Sequence, residues 1–391
     1  MNLPIIINNK TEVLKYLEIF SSEILPNYEK MRNFDFGENS KNYVSRLSPV
    51  IVRKIITEEM ITKYILKIHS FKKIEKFLHE LFWRSYWKGF LEHHPIIYLS
   101  YYRDLERLSM QKKTVKYKRA IMGETNILCF DHWMKELISS GYLHNHSRMW
   151  FASIWIFTLE LPWQLGAELF MTNLFDADFA SNTLSWRWVA GLHTKGKHYI
   201  AFPENIKKYT GGKFYPKDQL NTRPLPLLAE DDLELVPFKL IESKKIKKIS
   251  CLLIHENDLS LDTDLEFDFI IIQKSPNNNQ IRSQHVFNYI LSCLNETYLS
   301  VKRKYPSKVI TFDWLEEENL SKILIKNNIK NIHLKYPYQN LLKYQLESFL
   351  KKCSVDFYYT YTNWDKLVLP HCSKGFFKLK KEIPSIIKKV I

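Results

Sequence analysis

Cysteine is scarce in this chain of 391 residues: Cys129, Cys251, Cys293, Cys353 and Cys372 are odd in number and far apart. No CxxC or CxxxC spacing occurs, which removes zinc, iron–sulfur and disulfide frameworks from consideration, so no metal is expected. GxGxxG and GxxxxGKS/T are missing too, so neither standard phosphate loop is present. Long apolar runs do not occur. The most apolar stretch, Met149 to Leu159, is too short to cross a bilayer and runs into Glu160 and Pro162. The amino-terminal "MNLPIIINNK" carries no basic region ahead of a long apolar segment and does not read as a secretory signal. These absences predict a soluble, cytoplasmic protein without a membrane partner.

What is abundant is positive charge and aromatic rings. Lys and Arg number 57 against 42 Asp and Glu, a formal net charge of +15 that both halves of the chain share. Such a surplus draws polyanions, nucleic acid first, and the plain alternative is a lysine-rich solvated surface. Aromatics make up 14% of residues, with 10 Trp, which implies large cores or surfaces that stack on flat ligands. Two of the tryptophans, Trp186 and Trp188, sit one residue apart in "SNTLSWRWVAG".

The periodicity of apolar residues divides the chain. "TEVLKYLEIFSSEIL", "RKIITEEMITKYILKIHSF" and "IEKFLHELFWRSYWKGFLEHH" repeat at three and four, with Pro49, Pro95 and Pro162 between helical segments. "NTRPLPLLAEDDLELVPF" is a proline-rich, acidic connector. Beyond it, "ISCLLIHE", "FDFIIIQK", "KVITFD", "NIHLKYP" and "VDFYYTY" alternate with helical patterns, which predicts a parallel sheet. The expectation is an all-helical domain over 1–222, a linker over 223–246 and a smaller Rossmann-like α/β domain over 247–391.

Three clusters hold residue types that packing alone does not demand. In "HELFWRSYW", Glu80, Trp83 and Arg84 share one helix face, a carboxylate, an indole and a guanidinium fit for an aromatic polar ligand. In "GYLHNHSRMW" the same spacing aligns Asn145, Arg148 and Met149. In "FDADFASNTLSWRW", Asp176 and Asp178 precede Asn182 and Trp186; two acids without a third make a poor calcium loop. Pairing with a buried arginine such as Arg148 would make an aspartate tolerable inside the fold. Taken singly, the first cluster also reads as an amphipathic helix with a surface ion pair, and the second as a satisfied, partly buried helix.

Together these stretches resemble the DNA photolyases and cryptochromes. "NYVSRLSPVIVRKIITEEMI" is similar to the T-S-R-L-S-P segment, "ELFWRSYW" to E-L-x-W-R-E-F-Y, "GYLHNHSRMWFAS" to G-W-M-H-N-R-x-R-M-x-x-A-S, and "FDADFASNTLSWRWVAG" to D-x-D-x-A-x-N-x-G-x-W-x-W. The resemblance runs from Tyr28 to Pro216. It implies a U-shaped FAD in the helical domain, its phosphates held by Tyr28, Ser45, Arg46, Leu47 and Ser48. Arg148 with Asp176 would flank the isoalloxazine, Asp178 would contact the ring edge or ribose, Asn182 would face N5, and Arg84 and Asn145 join the cofactor set. Trp186 would relay electrons with Trp163, while Trp188 would face outward and stack on a flipped lesion.

The activity implied is light-driven splitting of cyclobutane pyrimidine dimers in DNA, by electron transfer from reduced FAD. Glu80 would hydrogen-bond the pyrimidine edge, Trp83 and Trp188 would wedge the dimer, and Asn145 and Met149 would complete the pocket. The animal-type branch that repairs (6-4) photoproducts has histidine at both of those last positions, which favours the cyclobutane reaction here. Arg32, Lys88, Lys207, Lys208 and Lys213 are candidates for a DNA-facing basic surface. A monomer, nucleoid-associated when bound to DNA, is implied. The alternatives are a cryptochrome-like photoreceptor that binds FAD without repair and a flavin-free nucleic-acid-binding protein.

The sequence also departs from the family. Leu184 and Ser185 replace small residues before the first tryptophan, and His146 stands where a basic residue often contacts DNA. "YLSYYRDLERLSMQKKTVKYKR" has no Trp for the third relay position, leaving a tyrosine there, Trp150 or Trp155 as substitutes. The family's antenna domain precedes its flavin domain, whereas here the α/β half follows. "CLLIHENDLSL" and "TNWDKLVLPHCSKGFFKLKKEIP" resemble that domain's opening strand and closing segment, which suggests a permuted order; the alternative is an unrelated interaction domain. The acidic residue that contacts a folate antenna has no counterpart in "YPYQNLLKY", so a second chromophore, folate or other, is left open.

Overall fold

The computed structural model describes residues 7–37, 40–228, 233–241, 250–261, 266–277, 279–313 and 317–391. Much of the expected linker and its junction with the α/β half lie outside these residues.

Before the connector the described residues are helical. In order they are α1 (Lys10–Ile19), α2 (Tyr28–Met31), α3 (Ser48–Val52), α4 (Glu58–Leu66), α5 (Phe71–His93), α6 (Ile96–Arg107), α7 (Val115–Met122), α8 (Leu128–Ser140), α9 (Asn145–Ser153), α10 (Trp163–Asn173), α11 (Phe179–Val189) and α12 (Pro203–Tyr209). Local chemistry sets many of the boundaries. The Thr57 and Thr114 hydroxyls accept from the backbone N–H groups of Met60 and Tyr117, capping α4 and α7. Gly141 closes α8 at φ +65°, a conformation that glycine takes without steric cost, and so starts the turn into α9. Helix α5 is the central spar. Fifteen of its 23 residues are buried, on every side, and it touches both halves of the molecule.

After the connector come β1 (Ser250–Ile254), β2 (Phe269–Gln273), α13 (Gln284–Lys304), β3 (Val309–Phe312), α14 (Glu317–Lys326), β4 (Asn331–Lys335), α15 (Leu341–Lys352), β5 (Asp356–Thr360), α16 (Asn363–Val368) and α17 (Phe376–Val390). The strands form one parallel sheet in the order β3-β2-β1-β4-β5. This is the doubly wound arrangement that the strand–helix alternation predicts. Strands β1 and β4 are buried at every position, as the interior of a sheet covered on both faces requires.

The two halves are joined by buried polar contacts. Lys54 Nζ lies 2.7 Å from Asp365 Oδ2, 3.5 Å from Asp258 Oδ2 and 3.1 Å from the Tyr338 hydroxyl. The Tyr336 hydroxyl donates to Glu92 at 2.7 Å, and Trp364 Nε1 donates to Ser85 Oγ at 2.8 Å. Gly89 permits this approach, because a Cβ there would fall 2.8 Å from Cys372 Sγ. Residues 336–338 and 255–258 follow the carboxyl ends of β4 and β1, where the strand order reverses, so this junction lies at the sheet's switch point.

Candidate active site

Four segments distant in sequence converge beneath α5. Arg148, on the first turns of α9, places Nη1 3.0 Å from Asp176 Oδ2, in the loop ahead of α11. The Ser48 hydroxyl also hydrogen-bonds Asp176, and Arg84 adds a second positive charge nearby. Burial alone would raise the Asp176 carboxyl; Arg148, Ser48 and Arg84 together hold it below the ordinary carboxylate value. Asp178 caps α11 by accepting from the N–H groups of Ala180 and Ser181, and lies 3.8 Å from Arg84 Nη2.

Behind this cluster stands Tyr142. Its ring receives the guanidinium groups of both Arg46 and Arg148, each 5.4 Å from the centroid. Arg46 reaches it from a left-handed backbone position, φ +49°, and Ser45 Oγ accepts from the Leu47 N–H at 3.4 Å. Burial raises the Tyr142 hydroxyl to about 12, although both arginines oppose the shift, so it stays a neutral donor. Tyr142 was not among the residues expected from the sequence; its place beside the "HNHSRM" stretch was the available signal.

A second group forms one turn earlier on α5. Glu80 pairs with Arg32 at 2.6 Å, and Arg32 also hydrogen-bonds the buried Tyr28 hydroxyl. Burial raises the Glu80 carboxyl above its usual value against the pull of Arg32. Trp83 does not lie against Trp188. Its ring stacks on Phe376 of α17 at 3.8 Å and 10°, whereas Trp188 stacks on Tyr199 at 5.6 Å. Asn145 and Met149 are neighbours on α9, with Nδ2 to Sδ at 4.0 Å.

Trp186 is buried and faces Phe170, Phe151 and Trp155, with ring centroids 5.1, 6.5 and 6.4 Å away. It lies so close to Gly166 that a Cβ there would overlap its ring. Trp163 opens α10 and faces Tyr101 at 5.8 Å, and Tyr101 leads to the partly exposed Tyr102 at 5.4 Å. Asn182 Nδ2 donates to the Ala167 carbonyl at 2.8 Å, which fixes its amide between α10 and α11. Leu47 and Leu184 are fully buried.

The basic surface is only partly as expected. Lys207, Lys208 and Lys213 are exposed, each with its ammonium near an aromatic ring, and Lys213 also meets His132. Lys88 is a correction. It is 5% exposed, its Nζ 4.5 Å from the Tyr338 centroid, because the α/β half covers that side of α5. It lines a cleft at the switch point with Arg53, Asp178, Asn257, Arg282 and Tyr338. His146 is pushed down to about 4, by burial first and then by His144 and Arg32, so it supplies no cation at neutral pH.

Whether this pocket suits a flavin dinucleotide is tested by its orphaned polar atoms. Among the described residues, Arg84 Nε and Nη2 and Asp176 Oδ1 are buried without a hydrogen-bond partner. Buried polar groups are otherwise almost always satisfied, and two unsatisfied guanidinium nitrogens beside a carboxylate oxygen suit a ligand bearing both phosphate and amide groups. The residues fit the group.

Residues 77–235 match the family described as the FAD binding domain of DNA photolyase. Over those residues the chain is similar to the FAD-binding domain of DNA photolyases. It is 31% identical over 192 residues to the deoxyribodipyrimidine photo-lyase of Alkalihalophilus pseudofirmus, covering 48% of this chain and 39% of that one. It is 27% identical over 220 residues to the enzyme of that name from Vibrio cholerae, covering 54% and 45%. The chain thus spans less than half the length of these relatives. Among solved structures, a bacterial class III photolyase from Agrobacterium tumefaciens aligns at a TM-score of 0.45 and 27% identity, covering 54% of this chain and 44% of that one.

Proposed function

We propose that this photolyase-family chain repairs cyclobutane pyrimidine dimers in DNA under light, with FAD held in the helical half. The observation that carries the reading is the convergence of Ser48, Arg84, Arg148 and Asp176, with two Arg84 nitrogens and one Asp176 oxygen buried and unsatisfied. FAD, when bound and reduced, supplies the light-driven electron. The protein's part is to bind, orient and keep water out.

Arg148 and Asp176 would hold the isoalloxazine edge, Asp178 the ribose side, and Ser45 to Ser48 with Arg46 and Tyr28 the phosphates. Asn182, its amide fixed by Ala167, would present its remaining polar atom to N5. Glu80, held by Arg32, would hydrogen-bond the pyrimidine edge. Asn145 and Met149, where the (6-4) branch has histidines, favour the cyclobutane lesion.

The α/β half is read as the displaced antenna domain, and its switch-point cleft is where a second chromophore would sit. Arg53, Lys88 and Arg282 on its lining favour an anionic one. The deciding experiment illuminates reduced protein with an oligonucleotide containing a dimer and measures restored pyrimidines. No restoration, in a protein that photoreduces its flavin normally, leaves the photoreceptor reading. Colourless protein that still binds DNA leaves the flavin-free one.

A further inference from the structure

We propose that the C-terminal helix α17 supplies a second DNA-contacting strip, a row of lysines and one exposed phenylalanine continuous with the lesion pocket. This rests on the DNA-repair reading above. Helix α17 has two chemically distinct faces. Phe376, Leu379, Ile383, Ile386, Ile387 and Val390 are buried, and the helix packs on α5 and α16. Away from that core, Phe377, Lys378 and Lys381 are exposed on neighbouring turns, with Lys374 exposed just ahead of the first turn. Glu382 is the helix's one acidic residue.

A solvated lysine face would carry the charges alone. Phe377, 77% exposed among these lysines, adds a flat apolar surface beside them. Aromatic rings set among lysines are how single strands and unstacked bases are held, the ammonium groups taking phosphates and the ring taking a base. The position of the strip names the occupant. Phe376, the preceding residue, stacks on Trp83, and Trp83 lies one turn beyond Glu80, itself paired with Arg32. Arg32, Glu80, Trp83 and Phe376 therefore form a run from the proposed lesion pocket to the start of α17, and Phe377 follows Phe376 on the exposed side of the helix. DNA whose dimer is extruded toward Trp83 brings its flanking backbone onto Lys374, Lys378 and Lys381.

The test compares K374Q/K378Q/K381Q with wild type in binding dimer-containing and undamaged duplexes over a range of salt. All three lysines are exposed, so folding and flavin content are expected to hold. Affinity for both duplexes is expected to fall together, and the slope of log K against log salt to flatten by up to about 0.9 per lysine, as loss of counterion release requires. The preference for the dimer, set by the pocket, is expected to persist. K326Q/K351Q/K352Q removes the same number of charges from α14 and α15 and is expected to change both quantities much less. An unchanged slope in the α17 variant, or an equal change in the control, overturns the strip. F377A is expected to weaken binding without altering the slope, and unaltered binding overturns the ring's part in it. A wild-type chain that binds neither duplex overturns the repair reading itself.

Discussion

Arg148 Nη1 meets Asp176 Oδ2 at 3.0 Å, while Asp176 Oδ1, buried beside it, has no partner among the described residues. One oxygen is spent on the fold and the other is held in reserve. Asp176→Asn removes the negative charge from two nearby arginines and leaves Arg148 without its counter-ion. Breaking one side of a buried pair costs about 3–5 kcal/mol. The variant is expected to lose flavin on gel filtration, read as a lower ratio of visible to ultraviolet absorbance, and to unfold at lower urea. Full flavin retention with unchanged stability removes Asp176 from the cofactor site.

Much of this arrangement was legible in the sequence because helical spacing is a geometric statement. Residues three and four apart share a face, so Asn145, Arg148 and Met149 had to lie together, and α/β alternation implied the parallel sheet. Lys88 shows where that reasoning stops. Spacing gives the side of α5 on which Lys88 lies but not what covers it, and the α/β half covers it. Trp83 is similar. Its stack on Phe376 joins residues 293 positions apart, a pairing no local pattern encodes. Gly166 carries no side-chain signal at all, and its role appears only once Trp186 is seen against it.

That contact yields a prediction about the relay. Trp186→Phe is expected to keep flavin bound yet abolish most photoreduction, since a phenyl ring is far harder to oxidise than indole. Gly166→Ala forces the Trp186 ring to move and is expected to slow photoreduction while leaving every relay residue in place. Photoreduction rates under constant light and donor check both. Wild-type rates in both variants would mean that electrons bypass Trp186.

Acid should loosen the pocket. His144 Nδ1 accepts from the His146 N–H at 3.1 Å and so caps α9, which only an imidazole unprotonated at that nitrogen can do. Burial first, then Arg148 and Arg46, push His144 down to about 4, against the pull of Asp35. His146 is pushed to about 4 as well. Between pH 4 and the ordinary histidine value of about 6.5 the unfolded chain binds more protons than the folded one, so stability rises with pH across that window. Urea midpoints are expected to fall as pH drops from about 6.5 toward 4. His144→Asn, which keeps an acceptor at the cap, is expected to flatten part of that dependence. A midpoint independent of pH across the window contradicts the assignment.

The proposed lesion pocket gives the last prediction. Trp188 is half-buried, two residues from the fully enclosed Trp186, so one short helix carries an indole into the core and another toward solvent. Stacking on an aromatic side chain contributes about 1–3 kcal/mol per base. Extruding a base costs a few kcal/mol, and least where damage has already weakened the stack, so a dimer is favoured over normal pyrimidines before any contact is made. Trp188→Ala is expected to lose most of the preference for dimer-containing DNA while its flavin spectrum stays unchanged, because Trp186 remains in place. Its affinity for undamaged duplex should alter little, because an intact stack presents no extruded base to Trp188. Glu80→Ala should act differently, lowering repair yield per photon more than affinity, by removing a hydrogen bond to the pyrimidine edge. It also frees Arg32, so binding to undamaged duplex is expected to hold or rise slightly. Binding isotherms with damaged and undamaged oligonucleotides, set beside repair yields, separate the two. If Trp188→Ala keeps the full preference, the outward indole is not the stacking surface, and Trp83, backed by Phe376, is left as the wedge.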